Sequence, residues 1–200
     1  AAGVTISSAT FVSANRVDLT VSVAAGAALG TRNITFTNTD GGTSTSTNAI
    51  TVGAAPSVTS LSQATLGQGA TAEPVTISGT GFQSGATVTV SGIGVTVSSA
   101  TVNSATSISV ILVATSTAAT GTRDITVTNT DGGTTTLAAG LTVTLKPTPS
   151  STTPTSLAVG AASKALVVTG TDFDATATVS FSTADITIVS STVTNSSRID

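Results

Sequence analysis

One repeat constrains this chain more than any other feature. Residues Gly30 to Gly42 read GTRNITFTNTDGG, and Gly121 to Gly133, 91 positions further on, read GTRDITVTNTDGG. Eleven of the thirteen positions are identical, and the two changes, Asn33 against Asp124 and Phe36 against Val127, are mild. Identity over such a length makes this a tandem-repeat protein, so the question of fold becomes the fold of one unit. At the same offset Ala1 to Val52 matches Gly92 to Val143, Gly79 matches Gly170, and Phe82 matches Phe173. The segment VTVSSATV at Val95 to Val102 has echoes at Val4 to Phe11 (VTISSATF) and Ile186 to Val193 (ITIVSSTV). The repeats fall at residues 1–54 (a closing half), 55–146 (a complete copy) and 147–200 (a linker and an opening half).

The complete copy alternates apolar and polar residues with period two, the mark of half-buried β-strands. Strands are expected at Ser57–Ser62, Pro74–Gly79, Ala86–Gly92, Val95–Val102, Ser107–Val113, Arg123–Thr128 and Leu137–Leu145. Val88, Val90, Ile108, Val110, Leu112, Ile125, Val127, Leu141 and Val143 face inward in this reading. About seven short strands in about ninety residues is the strand count and size of an immunoglobulin-like sandwich. The fold class expected is therefore all-β, with tandem immunoglobulin-like β-sandwiches, one complete and two partial. The alanine-rich Val23–Leu29 aligns with Val113–Thr120, a poor helix former, so both are expected to be loops. Lys146–Pro154 (KPTPSSTTP) reads as a stiff, extended linker, longer than the junction Ala54–Ser57 between the first two copies.

Composition narrows the chemistry. Ser and Thr exceed a third of the chain, charged residues make up 8%, and the net charge is −3 with six Lys and Arg in all. Nothing basic enough to hold a phosphate backbone is present, which argues against nucleic acid as a partner. No run of about 18 apolar residues occurs, so no helical membrane span is expected. The chain has no Cys, His, Met, Trp or Tyr. Disulfides, thiolate chemistry and His-based catalysis are thereby excluded, and Lys146 and Lys164, the two lysines, lie near linkers. No enzyme activity and no cofactor is expected. Few charges with abundant Thr, Ser, Ala and Gly point to an extracellular or cell-surface setting.

The stretches VTISGTGFQSGATVTVSG (Val75–Gly92) and ATGTRDITVTNTDGG (Ala119–Gly133) resemble the IPT/TIG class of immunoglobulin-like domain. In that class a strand ends in a G-T-x-F step, a strand of the gatVxv kind follows, and a hairpin of the VtNxdG kind closes the domain. The resemblance covers essentially the whole chain. It implies the sandwich fold and a setting such as bacterial or archaeal surface proteins.

Several residues are candidates for a site. Asp40-Gly41 and Asp131-Gly132 sit between alternating runs, where a DG step signals a tight hairpin turn with both central residues at positive φ. Phe is scarce, five in all, so Phe82 and Phe173 are expected to plug one end of a sandwich. Asp172 and Asp174, flanking Phe173, are candidate metal ligands because spaced loop carboxylates can hold Ca²⁺; Gly81 and Gln83 take those places in the complete copy. Asp40 and Asp131 with Asn38 and Asn129 suggest a calcium loop too, although turn chemistry accounts for the same residues. Arg16 and Asp18 recur as Arg198 and Asp200, where the middle copy has Ser107 and Ser109, and are read as outward-facing pairs or an interface between copies. Asn33-Ile-Thr35 and Asn195-Ser-Ser197 match the N-glycosylation pattern.

Ala1 aligns with Gly92 and Asp200 with Ser109, so the outer copies are half-domains. Such halves are expected to belong to a longer array or to complete each other head-to-tail between molecules, despite an eighteen-residue overlap. The function expected is structural, as an extracellular stalk, filament or adhesin whose partners are further copies of itself or further such domains. The alternative is a glycan-binding or accessory module attached to a larger surface or secreted enzyme, with surface glycans or proteins as partners.

Overall fold

The computed structural model describes residues 3–200, which fall into two compact units divided between residues 55 and 56. Every regular element among them is a β-strand. The first unit contains β1 (Val4–Ser13), β2 (Arg16–Val23), β3 (Gly30–Thr37) and β4 (Thr43–Val52), paired as two antiparallel hairpins, β1–β2 and β3–β4.

The second unit opens with the best-buried part of the molecule. It contains β5 (Ser57–Leu61), β6 (Thr65–Gly67), β7 (Glu73–Thr80), β8 (Thr87–Val90), β9 (Val95–Ser104), β10 (Ser107–Ala114), β11 (Gly121–Thr128) and β12 (Thr134–Thr144). They form two four-stranded sheets in the orders β5-β7-β10-β9 and β6-β12-β11-β8. One sheet contributes Val75, Ile77, Ile108, Val110 and Leu112 to a continuous core, and the other contributes Leu66, Val88, Ile125, Val127, Leu141 and Val143. Strand pleating sends alternate side chains to opposite faces, so each alternating run buries one set and leaves Thr and Ser outside. Burying each Ile, Leu or Val of this size contributes about 1.5–3 kcal/mol.

Three expectations change. An eighth strand, β6, runs parallel to the end of β12, with Thr65–Gly67 opposite Thr142–Thr144. It is too short to alternate visibly, yet Leu66 is fully buried. Second, neither Asp131 nor Asp40 has positive φ; only Gly132 and Gly41 do, at 87° and 86°. Gly132 N–H donates to the Asn129 carbonyl at 3.0 Å and Asn129 N–H to the Gly133 carbonyl at 2.8 Å, which is a three-residue hairpin with one left-handed glycine. Each Asp accepts the N–H two residues on, from Gly133 and Gly42, both at 2.9 Å. Third, the expected linker is mostly a strand. β13 (Thr148–Thr153) pairs with β14 (Val167–Thr171), Thr148 opposite Thr171 and Pro149 opposite Gly170. This register is that of β5 on β7, where Ser57 faces Thr80 and Val58 faces Gly79. β13 therefore lies 91 residues after β5, with no extra length before it. Pro149 is tolerated because β13 is an edge strand. A third four-stranded sheet, in the order β13-β14-β16-β15, is completed by β15 (Val193–Asn195) and β16 (Arg198–Ile199).

Neither 23–29 nor 113–120 contains helix, but Val23 ends β2 and Val113–Ala114 end β10, so the loops are shorter than expected. An irregularity repeats in the hairpins. The ladder shifts after Arg123 and after Arg32, and Ala139 and Asn48 take left-handed φ values of 52° and 55°. Such φ is strained for residues other than glycine. The Ala139 N–H is held by Asp124 Oδ1 at 2.8 Å, and the Asn48 N–H by Asn33 Oδ1 at 2.9 Å. Replacing Asp124 with Ala therefore removes the acceptor at a bulge, and urea unfolding of the full chain should show a loss of about 1 kcal/mol.

Candidate assembly surface

In the 57–144 sandwich every apolar face has a partner. The equivalent faces of the first unit do not. Val17 is 40% exposed where Ile108 is 0%, and Phe36 is 45% exposed where Val127 is 0%. Ile6, Phe11, Val17, Leu19, Ile34 and Phe36 line an open cleft between the β1–β2 and β3–β4 hairpins. These hairpins match β9–β10 and β11–β12, and no counterpart of β5, β7 or β8 lies over them within residues 3–55. Along 157–200, Val159, Phe181, Ile186, Ile188 and Val189 are exposed around a second open hollow. Val95, the counterpart of Ile186, is buried.

Unused strand edges accompany these faces. β11 carries β12 on one side and β8 on the other, Ile125 opposite Val90 and Val127 opposite Val88. β3 carries β4 alone among the described residues. Thr178–Phe181, the counterpart of β8, alternates like a strand and forms none. An isolated strand has nothing to satisfy its backbone N–H and C=O groups, so sequence pattern without a partner gives irregular chain.

Phe82 and Phe173 are both buried, at 4% and 7% exposure. Their rings lie against Gly79 and Gly170, where an added Cβ would stand 2.5 and 2.6 Å from the ring tip and collide with the carbonyl oxygens of Ser57 and Thr148. Gly79→Ala should therefore destabilise the middle sandwich by about 3 kcal/mol in thermal unfolding, as overpacking does.

Asn129 is the residue whose role the repeat alone did not disclose. Its side chain is 3% exposed and joins two loops 48 residues apart in sequence. Its Nδ2 donates to the Gly81 carbonyl at 2.7 Å, and its Oδ1 accepts the Gln83 N–H at 3.1 Å. Gln83 continues the network, donating from Nε2 to Asp131 Oδ2 at 2.6 Å and accepting Thr130 Oγ1 at 3.0 Å. The conserved spacing N-T-D-G-G in both copies was the available signal, since a turn needs its Asp and Gly but not a buried Asn. In the first unit Asn38 is exposed, and its side chain makes no hydrogen bond among the described residues. Asn129→Ala should cost about 2 kcal/mol in urea unfolding, because it strands a buried carbonyl and amide, whereas Asn38→Ala in the dilute chain should cost nothing measurable.

The acidic candidates lie in local turns. Asp172 has φ of 59°, close to the 70° of its counterpart Gly81, and its Oδ2 accepts the Thr171 hydroxyl at 2.8 Å. Asp174 Oδ1 accepts the Thr176 N–H at 2.9 Å and the Thr176 hydroxyl at 2.8 Å. The Thr176 amide, followed by its hydroxyl, holds the Asp174 carboxyl below the usual carboxylate range. A depressed carboxyl favours the folded state at neutral pH and loses that contribution as pH falls below about 4. Among the described residues no three acidic side chains gather as a metal-ligand group.

Arg16 Nε donates to Asp18 Oδ1 at 2.7 Å and Arg198 Nε to Asp200 Oδ1 at 2.6 Å, both at exposed positions. Their places in the middle copy are taken by Ser107 and Ser109, which accept hydrogen bonds from Asn103. Asn33 and Asn195, the glycosylation candidates, both use their side-chain oxygens locally, on Asn48 and Ser197. Arg32 and Arg123 were not singled out by the sequence. Each turns its guanidinium back onto the preceding loop, to the carbonyls of Ala28 and Ala119.

No family model matches the chain, and no curated protein does. Among solved structures, a similar one is SGBP-B of the Bacteroides ovatus mixed-linkage glucan utilization locus, in complex with a mixed-linkage heptasaccharide. It is 21% identical over 74% of this chain, which spans 40% of that protein's length, and the TM-score is 0.31.

Proposed function

We propose that this chain is a structural protein of the extracellular space or cell surface, in which immunoglobulin-like sandwiches of the IPT/TIG kind are set head-to-tail as a stalk, filament or adhesin. The observation that carries this reading is the pair of uncovered apolar faces. Within them Val17, Phe36 and Ile186 stand where the complete repeat buries Ile108, Val127 and Val95. Exposed apolar surface bordered by free strand edges marks an interaction surface. Repetition of one fold along the chain then makes the contact heterologous, and heterologous contacts that do not close produce rods.

The alternative is a glycan-binding or accessory module beside a larger surface or secreted enzyme. The likeness to the SGBP-B complex, at a TM-score of 0.31, is too low to carry it. The chain also has no Trp or Tyr to offer a sugar ring a flat platform. Electron microscopy of the purified chain at rising concentration separates the two. Filaments with an axial spacing of one sandwich are expected. Dispersed particles that bind mixed-linkage glucan oligosaccharides on a glycan array would put the module reading first.

A further inference from the structure

We propose that residues 4–52 of one copy close over residues 148–181 of a second copy, forming a shared sandwich built like that of residues 57–144. The inference rests on the head-to-tail reading above, and it names the partner and the register. Residues 4–52 are the counterpart of 95–143, and residues 148–181 the counterpart of 57–90, the two halves of the middle sandwich.

Backbone edges fix the pairing. In the middle sandwich β8 pairs with β11 through Val90–Ile125, Thr89–Thr126, Val88–Val127 and Thr87–Thr128. Shifted by 91 residues, these become Phe181–Ile34, Ser180–Thr35, Val179–Phe36 and Thr178–Thr37. β3 has a free edge for this pairing, and Thr178–Phe181 is chain without a partner. On the other sheet β10 runs along β7 for six positions, Ser107 opposite Ser78 through Leu112 opposite Glu73. β16 occupies only the first two of the equivalent positions on β14, Arg198 opposite Thr169 and Ile199 opposite Val168. β2 matches β10 along its whole length and supplies all six, Arg16 opposite Thr169 through Val21 opposite Lys164. The two strands compete for one edge, and β2 brings four more ladder positions and the apolar side chains of Leu19 and Val21. β15 and β16 are displaced from that edge when β2 adds.

Side chains agree with the register. Asn38 takes the place of Asn129 and reaches the Asp172 carbonyl and the Asp174 N–H, the counterparts of Gly81 and Gln83. Asp172 already holds the left-handed backbone that presents this carbonyl in Gly81. One position opposes closure. The Gln83–Asp131 hydrogen bond of the middle sandwich becomes Asp174 beside Asp40, two like charges. Asp174→Gln restores the amide and should tighten association about tenfold, while Asn38→Ala should weaken it about tenfold.

The chain has no Cys, so cross-linking can be sited freely. Thr35→Cys and Ser180→Cys, made in separate copies of the 200-residue chain, face each other across adjacent antiparallel strands at a separation a disulfide can bridge. Oxidising the mixture should give a disulfide-linked dimer containing one of each, and neither variant alone should do so. The double variant should give a ladder of oligomers. No mixed dimer, or a double variant that closes as an internally bridged monomer, overturns the proposal. Filaments that still form without the mixed dimer would overturn strand sharing and leave the filament reading standing. Sedimentation of Asp174→Gln and Asn38→Ala supplies a second arm, and unchanged association in both overturns the register.

Discussion

Burial of β11 is the interaction on which the middle sandwich depends. Ile125 and Val127 reach the centre of the core, β12 and β8 hydrogen-bond to its two edges, and Asn129 at its end clasps the opposite loop. Removing any one of these leaves a strand with an exposed face or unsatisfied backbone groups. The nearly identical sequence at Gly30–Thr37 keeps the strand and its hairpin, but among the described residues it has neither the second edge partner nor the loop. Near-identical sequence in two settings thus separates what local pattern determines from what a partner determines. The hairpin is local. The buried face is not.

The same contrast explains how much was legible in the sequence. Alternation placed the main strands of the complete copy and the inward set Ile108, Val110, Leu112, Leu141 and Val143, because a two-residue period maps directly onto the pleat. β6 was invisible because three residues are too few to show a period and its parallel pairing is with residues far along the chain. β13 hid behind prolines and hydroxyls that also suit an extended linker; only the register with β14 reveals it. Thr178–Phe181 is the converse case, since it has the pattern of a strand and no ladder. The turn at Asp131-Gly132 was found but its geometry was not, because one left-handed glycine and two left-handed residues leave the same dipeptide signature. Of the site, the burial of Phe82 was suggested by the scarcity and recurrence of Phe, whereas its contact with Gly79 and the Asn129 bridge needed segments that sequence does not place together.

Small departures between copies carry more information than the identities do. Gln83 becomes Asp174, Gly81 becomes Asp172 and Val127 becomes Phe36. Each falls at the seam between the halves of a sandwich, where the middle copy has both halves on one continuous segment. A seam within one segment forms at high effective concentration, whereas a seam between molecules depends on its own contacts. In the shared sandwich proposed above, these substitutions would set how firmly the seam closes.

The outer faces of the hairpins are laced by hydroxyl pairs. Thr35 and Thr45 meet at 2.8 Å, and Thr126 and Thr136 at 2.9 Å. Among the described residues only Arg16–Asp18 and Arg198–Asp200 form ion pairs, both at the surface. Dissolved ions screen charges but leave hydroxyl hydrogen bonds and apolar burial largely untouched. A surface held in this way keeps its shape across a wide range of ionic strength.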